Sequence, residues 1–200
     1  NYIGGFAGSV TTDTNAPVSI ENIEFKGTST VSVSGDTKNA THYLAGFIGY
    51  LVTGNKTNAK VIVDNVKING QTSVSFAGTI GNSQLKADNT TEYKGDVRVG
   101  GFAGQIQGRA QSNNSVEISG VTLEETEIEV GGSVTASSYI AGLTGYVTTA
   151  CTLDTWAINK PTVTIKGDIT AASYIGGAFG NVTGVTNYPA TLTNIAVKSF

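Results

Sequence analysis

One cysteine, one histidine, two arginines and no methionine stand among 200 residues, and each scarcity closes off a class of chemistry. Cys151 alone can form neither an intrachain disulfide nor a thiolate metal site. It reads as a small buried or half-buried residue in a Thr-rich turn; as a nucleophile it would need a base, and His42 is the only imidazole. A single histidine makes no metal centre either. Arg98 and Arg109 are the only arginines, Lys plus Arg is 12 against 15 Asp plus Glu, and no basic stripe appears. Binding to a phosphate backbone needs clustered cations, so nucleic acid is excluded as a partner. No apolar run approaches the ~18–20 residues of a membrane-spanning helix, and no signal-peptide pattern is present. Missing methionine and scarce cysteine are compatible with bacterial export. Charged residues are 14 % against 39 % hydrophobic, too apolar a balance for a disordered chain.

What the chain has is glycine, 26 in all, together with abundant Thr, Ser, Asn, Val and Ile. β-branched and aromatic side chains suit a pleated surface. A nine-residue phrase, Tyr–Ile–small–Gly–large–x–Gly–x–Val, recurs at Tyr2–Val10, Tyr43–Leu51, Ser75–Ser83, Arg98–Ile106, Tyr139–Val147 and Tyr174–Val182. Between phrases runs a stretch of alternating apolar and polar residues, as in Val18–Gly27, Val61–Gly70, Val116–Glu124, Thr152–Asn159 and Ala190–Lys198. Period-two alternation marks a half-buried strand. A shorter third strand is expected at Thr30–Val33, Thr72–Phe76, Asp96–Val99, Thr126–Val130 and Thr162–Ile165.

Three strands per turn around a common core predict an all-β fold, a right-handed parallel β-helix of about five to six coils. Residues 1–200 then form a single β-solenoid repeat domain, a fragment of a larger exported protein. Superposed glycines would permit close backbone approach or positive φ. Phe6, Phe47, Phe102 and Leu143 would stack as an internal column, with Tyr2, Tyr43, Tyr139 and Tyr174 as a second. Asn22, Asn65 and Asn194 share one register position, where Asn tolerates the left-handed conformation of a corner. The stretch Leu85–Tyr93 breaks the alternation and reads as a loop or bulge. The Thr- and Asn-rich linkers Thr11–Pro17, Thr53–Ala59, Gly108–Ser115, Thr148–Thr152 and Gly184–Pro189 should gather on one side. No substantial helix is expected.

Tyr-Ile-Gly-Gly-Phe-x-Gly and its variant Tyr139-Ile-Ala-Gly-Leu-Thr-Gly145 resemble the GLUG motif of bacterial surface proteins. That motif occurs in large exported adhesin-like proteins and beside the protease domain of some immunoglobulin A peptidases. The resemblance covers six phrases and departs at Ser75 and Arg98 (the Tyr position) and at Thr79 and Ala178 (the large apolar one). It implies an extracellular or cell-surface setting and an adhesive or spacer role. It implies no catalytic residue.

The glycines lie within strands with no helix following, unlike a dinucleotide cradle. The best candidate for site chemistry is an acidic column of Glu21, Asp64 and Asp154. On adjacent coils, Glu21 and Asp64 would approach to about 5–6 Å, the carboxyl separation of retaining glycosidases. Such oxygens could also hold Ca²⁺, the one cofactor considered. Ser119 and Thr193 occupy the same register, which points to a merely polar strand face. Glu125, Glu127 and Glu129 would share a solvated face that discourages edge pairing. Tyr93 and Tyr188, aromatic residues on loops, are candidate ligand contacts. These features predict a non-enzymatic stalk or adhesin-like module, partnered by a host surface protein or glycan or by neighbouring domains of its parent. The alternative is a polysaccharide lyase or glycosidase.

Overall fold

The computed structural model describes all residues but 38, 39, 82, 86–91, 112, 199 and 200, and the backbone alone at 83–85 and 92–94. Among the described residues there is no helix; strands assemble into three parallel sheets in which successive passes of the chain stack in sequence. Five tiers result. The first sheet comprises Tyr2–Gly4, His42–Ala45, Val97–Gly100, Tyr139–Ala141 and Tyr174–Gly176. The second comprises Ala7–Thr12, Ile48–Thr53, Ala103–Gln107, Thr144–Thr148 and Phe179–Thr183. In the third, Lys60–Phe76 and Ser115–Val130 are long central strands. Val18–Lys26 and Ser29–Val33 lie on one side of them, with Cys151–Asn159, Pro161–Ile165 and Ala190–Lys198 on the other.

Alternation along the third sheet breaks at one corner, and the backbone shows why. Asn22, Asn65, Gly120, Thr155 and Asn194 all take positive φ, between 51° and 63°. One left-handed residue turns two consecutive side chains outward, so Ile20 and Ile23 can both point inward. The predicted asparagine column therefore exists, and Asn65 Nδ2 donates to Asn22 Oδ1 at 2.8 Å.

Two apolar cores fill the stack. One lies between the second sheet and the first half of the third, around Phe47, Leu51, Val63, Phe102, Ile106, Leu123 and Trp156. The other lies between the first sheet and the second half of the third, around Leu44, Val74, Val99, Ile128 and Ile140. At the waist between them Ser29, Thr72, Thr126 and Pro161, aligned by strand register, face Gly5, Gly46, Gly101 and Gly142. A Cβ on Gly46 would overlap the Thr72 Cγ2 methyl, and one on Gly101 would overlap that of Thr126. In the phrases that begin at Tyr2, Tyr43, Arg98, Tyr139 and Tyr174 the second glycine abuts backbone instead: a Cβ on Gly49 would lie 2.6 Å from the Gly8 carbonyl oxygen. None of these glycines has positive φ; close approach alone requires them.

The phenylalanine column also forms as expected, with ring centroids 4.7 Å apart for Phe6–Phe47 and 5.3 Å for Phe47–Phe102. Trp156 then meets Phe102 edge-on at 4.9 Å, filling the space that the smaller Leu143 and Ala178 leave. Such ring pairs contribute ~0.5–1.5 kcal/mol each beyond the area they bury.

Two expectations need correction. The phrase Ser75–Ser83 does not stack on the others: Ser75 and Phe76 end a third-sheet strand, in register with Ser32 and Val33. Its Gly78 packs against Gly35, and Gly132 against Gly78, a separate glycine column. Five phrases, not six, therefore align. Asp96–Val99, expected as a third strand, instead leads into the first sheet, where Val97 pairs with His42. The irregular stretch Leu85–Tyr93 lies for residues 86–91 outside the described residues; its flanks Ser83–Leu85 and Glu92–Lys94 pair antiparallel.

Candidate functional site

The outer face of the third sheet carries the acidic column in the predicted register. Glu21 pairs with Asp64, Asp64 with Ser119, Ser119 with Asp154, and Asp154 with Thr193. Glu21, Ile62, Asp64, Glu117, Ser119 and Asp154 line a shallow depression of about 520 Å³. Asp64, Glu117 and Asp154 there are engaged by hydrogen bonds. Asp64 accepts a short hydrogen bond from Ser119, and Asp154 accepts from Thr193 at 2.6 Å and Asn194 at 2.8 Å. The Thr193 and Asn194 donors hold the Asp154 carboxyl below the usual aspartate range. Glu117 is likewise lowered, first by Ser115 and then by Lys60 at 3.0 Å. A general acid needs the opposite shift, since it must stay protonated near neutrality. No group of three His, Cys, Asp or Glu could hold a metal among the described residues.

The expected tyrosine column is present with an insertion. Tyr2 pairs with Tyr43, Tyr43 with Arg98, Arg98 with Tyr139, and Tyr139 with Tyr174. Beside it, on the second sheet, runs Ser9, Tyr50, Gln105, Tyr146 and Asn181. Tyr43 stacks on Tyr50 at 4.7 Å and Tyr139 on Tyr146 at 4.6 Å. The Arg98 guanidinium carbon sits 5.2 Å, 5.4 Å and 5.3 Å from the ring centroids of Tyr43, Tyr139 and Tyr146. It donates to Gln105 and lies 3.9 Å from the Asp96 carboxylate. Burial raises the phenols of Tyr43, Tyr50 and Tyr139 above their ordinary value. Tyr43 and Tyr139 thus meet other rings both along the axis and within their own tier, which stiffens the stack.

Arg98 holds the tyrosine position that its phrase gives it, while Gln105, Tyr50 and Tyr146 join the ladder from the second sheet without being expected there. The signal for Tyr50 and Tyr146 was their place seven residues beyond Tyr43 and Tyr139. For Arg98 it was a planar cation at a tyrosine position.

The linkers between the second and third sheets do gather at one corner. There Tyr188 bonds back to Val185, its N–H donating to the carbonyl at 2.9 Å. With Asn113, Asn187 and Pro189 it borders a hollow of about 270 Å³. Tyr93 has its backbone in the antiparallel hairpin, and its side chain lies outside the described residues. Cys151 is buried, its thiol pushed up to about 12 by burial, with Sγ donating to the Thr148 carbonyl at 3.1 Å. It packs in the turn, and burial leaves little thiolate there at neutral pH.

Comparison with protein-family models, with curated proteins and with solved structures gives no match to this chain.

Proposed function

We propose that this chain is a right-handed parallel β-helix of five coils acting as a non-enzymatic stalk within an exported bacterial surface protein, its corner loops offered to a protein or glycan. The observation that supports this best is where the outward side chains spend their interactions. Pair after pair joins a residue to one in the next tier, in register or on the diagonal: Tyr139 with Tyr174, Asn65 with Asn22, Lys60 with Glu117, Lys166 with Glu129, Asn113 with Asn58. A face committed to its own neighbours resists bending and leaves recognition to loops. The resemblance of the stacked phrases to the GLUG motif favours the same setting. Tyr188, at the corner hollow, is the contact residue of choice.

The lowered Asp154 carboxyl and the hydroxyl-bonded Asp64 argue against the enzyme reading. The test is binding of the 200-residue chain to a glycan array and to host-matrix proteins, with polysaccharide cleavage assayed in parallel. Binding weakened about tenfold by Tyr188→Ala, without cleavage, supports the proposal. Cleavage abolished by Asp64→Asn overturns it.

A further inference from the structure

Six of the eight tyrosines stand in the ladder of the first and second sheets, where they divide into two clusters of three. Tyr43 and Tyr50 lie in the second tier with ring centroids 4.7 Å apart and planes 26° from parallel. Tyr139 and Tyr146 lie in the fourth tier at 4.6 Å and 11°. Each pair spans the bend from the first sheet to the second, and each has a tier stacked on either side of it. Tyr2 and Tyr174 add a third ring to each cluster, 5.0 Å from Tyr43 and from Tyr139 respectively. The four rings of the two pairs are half-buried, so strand pairing holds them in place while small solutes still reach them.

In the third tier the pattern breaks. Arg98 and Gln105 hold the corresponding positions there. The Arg98 guanidinium carbon sits 5.2 Å from the Tyr43 centroid and 5.4 Å from that of Tyr139. Tyr43 and Tyr139 are thus separated by a cation and by two strand spacings, about 10 Å.

Stacked phenols at this distance are set up for oxidative coupling. Loss of one electron and the hydroxyl proton makes a phenoxyl radical, with spin at the carbons ortho to oxygen. Two such radicals face to face form one ortho–ortho carbon–carbon bond. The two ortho hydrogens then move to the oxygens and restore both aromatic rings. The pair gives up two electrons and two protons in all, which reduce one hydrogen peroxide to two waters at a haem peroxidase. Holding both partners on one scaffold makes the coupling intramolecular and favours it over encounters between chains.

We infer that Tyr43–Tyr50 and Tyr139–Tyr146 are sites of oxidative modification, each closing an intrachain dityrosine when the chain meets hydrogen peroxide and a peroxidase. Each bond ties the first sheet to the second within one tier, and Arg98 keeps the two clusters from joining.

The test oxidises the intact 200-residue chain with hydrogen peroxide and a haem peroxidase. A parallel run uses photogenerated carbonate radical, which is small enough to reach rings that an enzyme cannot. Chymotrypsin cuts after Leu44, Phe47 and Leu143, so it separates the two halves of each pair unless they are bonded. Mass spectrometry should find both linked peptide pairs, lighter by two hydrogens than their parts, in a product of single-chain mass that fluoresces as dityrosine. These links should exceed any Tyr43–Tyr139 product by about tenfold or more. Tyr43→Phe and Tyr139→Phe keep the stacked ring but lack the hydroxyl from which the radical forms. Each should erase its own link and spare the other, with the fold verified by circular dichroism. Either link missing from the unaltered chain under both oxidants overturns the inference. So do links scattered at random among the tyrosines, or covalent dimers formed in place of the intrachain bonds.

Discussion

Gly46 leaves the space that Thr72 fills: the threonine methyl occupies the position a Cβ on residue 46 would take. This contact, repeated as Gly101 with Thr126 and Gly142 with Pro161, draws the first sheet against the third and divides the interior into two cores. Gly46→Ala should destabilise the chain by about 1–3 kcal/mol, in the range of an overpacked core site. Thr72→Ala removes the opposing methyl and should recover part of that loss. Denaturant unfolding of the two single variants and the double gives the coupling, expected at ~1–2 kcal/mol.

Arg98 takes the place of a tyrosine between Tyr43 and Tyr139. A guanidinium is planar and can stack on aromatic faces as a ring does. Arg98→Ala should cost about 1–2 kcal/mol in urea unfolding. Arg98→Tyr, which continues the ladder, should cost less than Arg98→Ala.

Thr155 stands at the corner with φ 56°, where its counterparts are Asn22, Asn65, Gly120 and Asn194. A β-branched residue is disfavoured in that conformation. Thr155→Asn should raise stability by about 1 kcal/mol, seen as a higher denaturation midpoint with an unchanged m-value.

Cys151 should be inert in the folded chain, because burial pushes its thiol up to about 12 and leaves little thiolate at pH 8. Ellman's reagent should react with it only once the chain is unfolded. Prompt reaction in native buffer would contradict this account of the turn.

Asp154 carries a pH dependence whose sign follows from its donors. Thr193 and Asn194 favour the ionised form, so its folded value lies below the ordinary 3.8. The contribution to stability is present above that ordinary value and is lost as pH falls through the lower folded one. Carboxyl NMR titration should place the Asp154 midpoint below 3.8, and Thr193→Ala should move it back up.

Much of this architecture was legible in the residues because the constraints act on residue type. Asn22, Asn65 and Asn194 announce a left-handed corner, and the alternation on either side of them aligned Glu21, Asp64 and Asp154 correctly. Phe6, Phe47, Phe102 and Leu143 gave their column directly. The Ser75–Ser83 phrase misled because glycine answers to any close approach: Gly78 packs on Gly35 for the same steric reason that Gly46 faces Thr72. The clue against it was spacing, since the 23 residues from Ser75 to Arg98 are too few for three strands and their turns. Arg98 was placed at the tyrosine position by its phrase, but its stacking was not legible: a planar cation fits between ring faces by shape and by opposite charge, which residue matching does not register.

The central claim is that the chain stacks in five tiers, with Tyr43 next to Arg98 and not next to Ser75. Nuclear Overhauser contacts in the labelled protein test it most directly. The account predicts cross-peaks linking Tyr43 with Arg98, Arg98 with Tyr139, and the Phe47 ring with the Phe102 ring, all in a parallel-strand pattern. Cross-peaks joining Tyr43 to Ser75, or an antiparallel pattern between these segments, would contradict it.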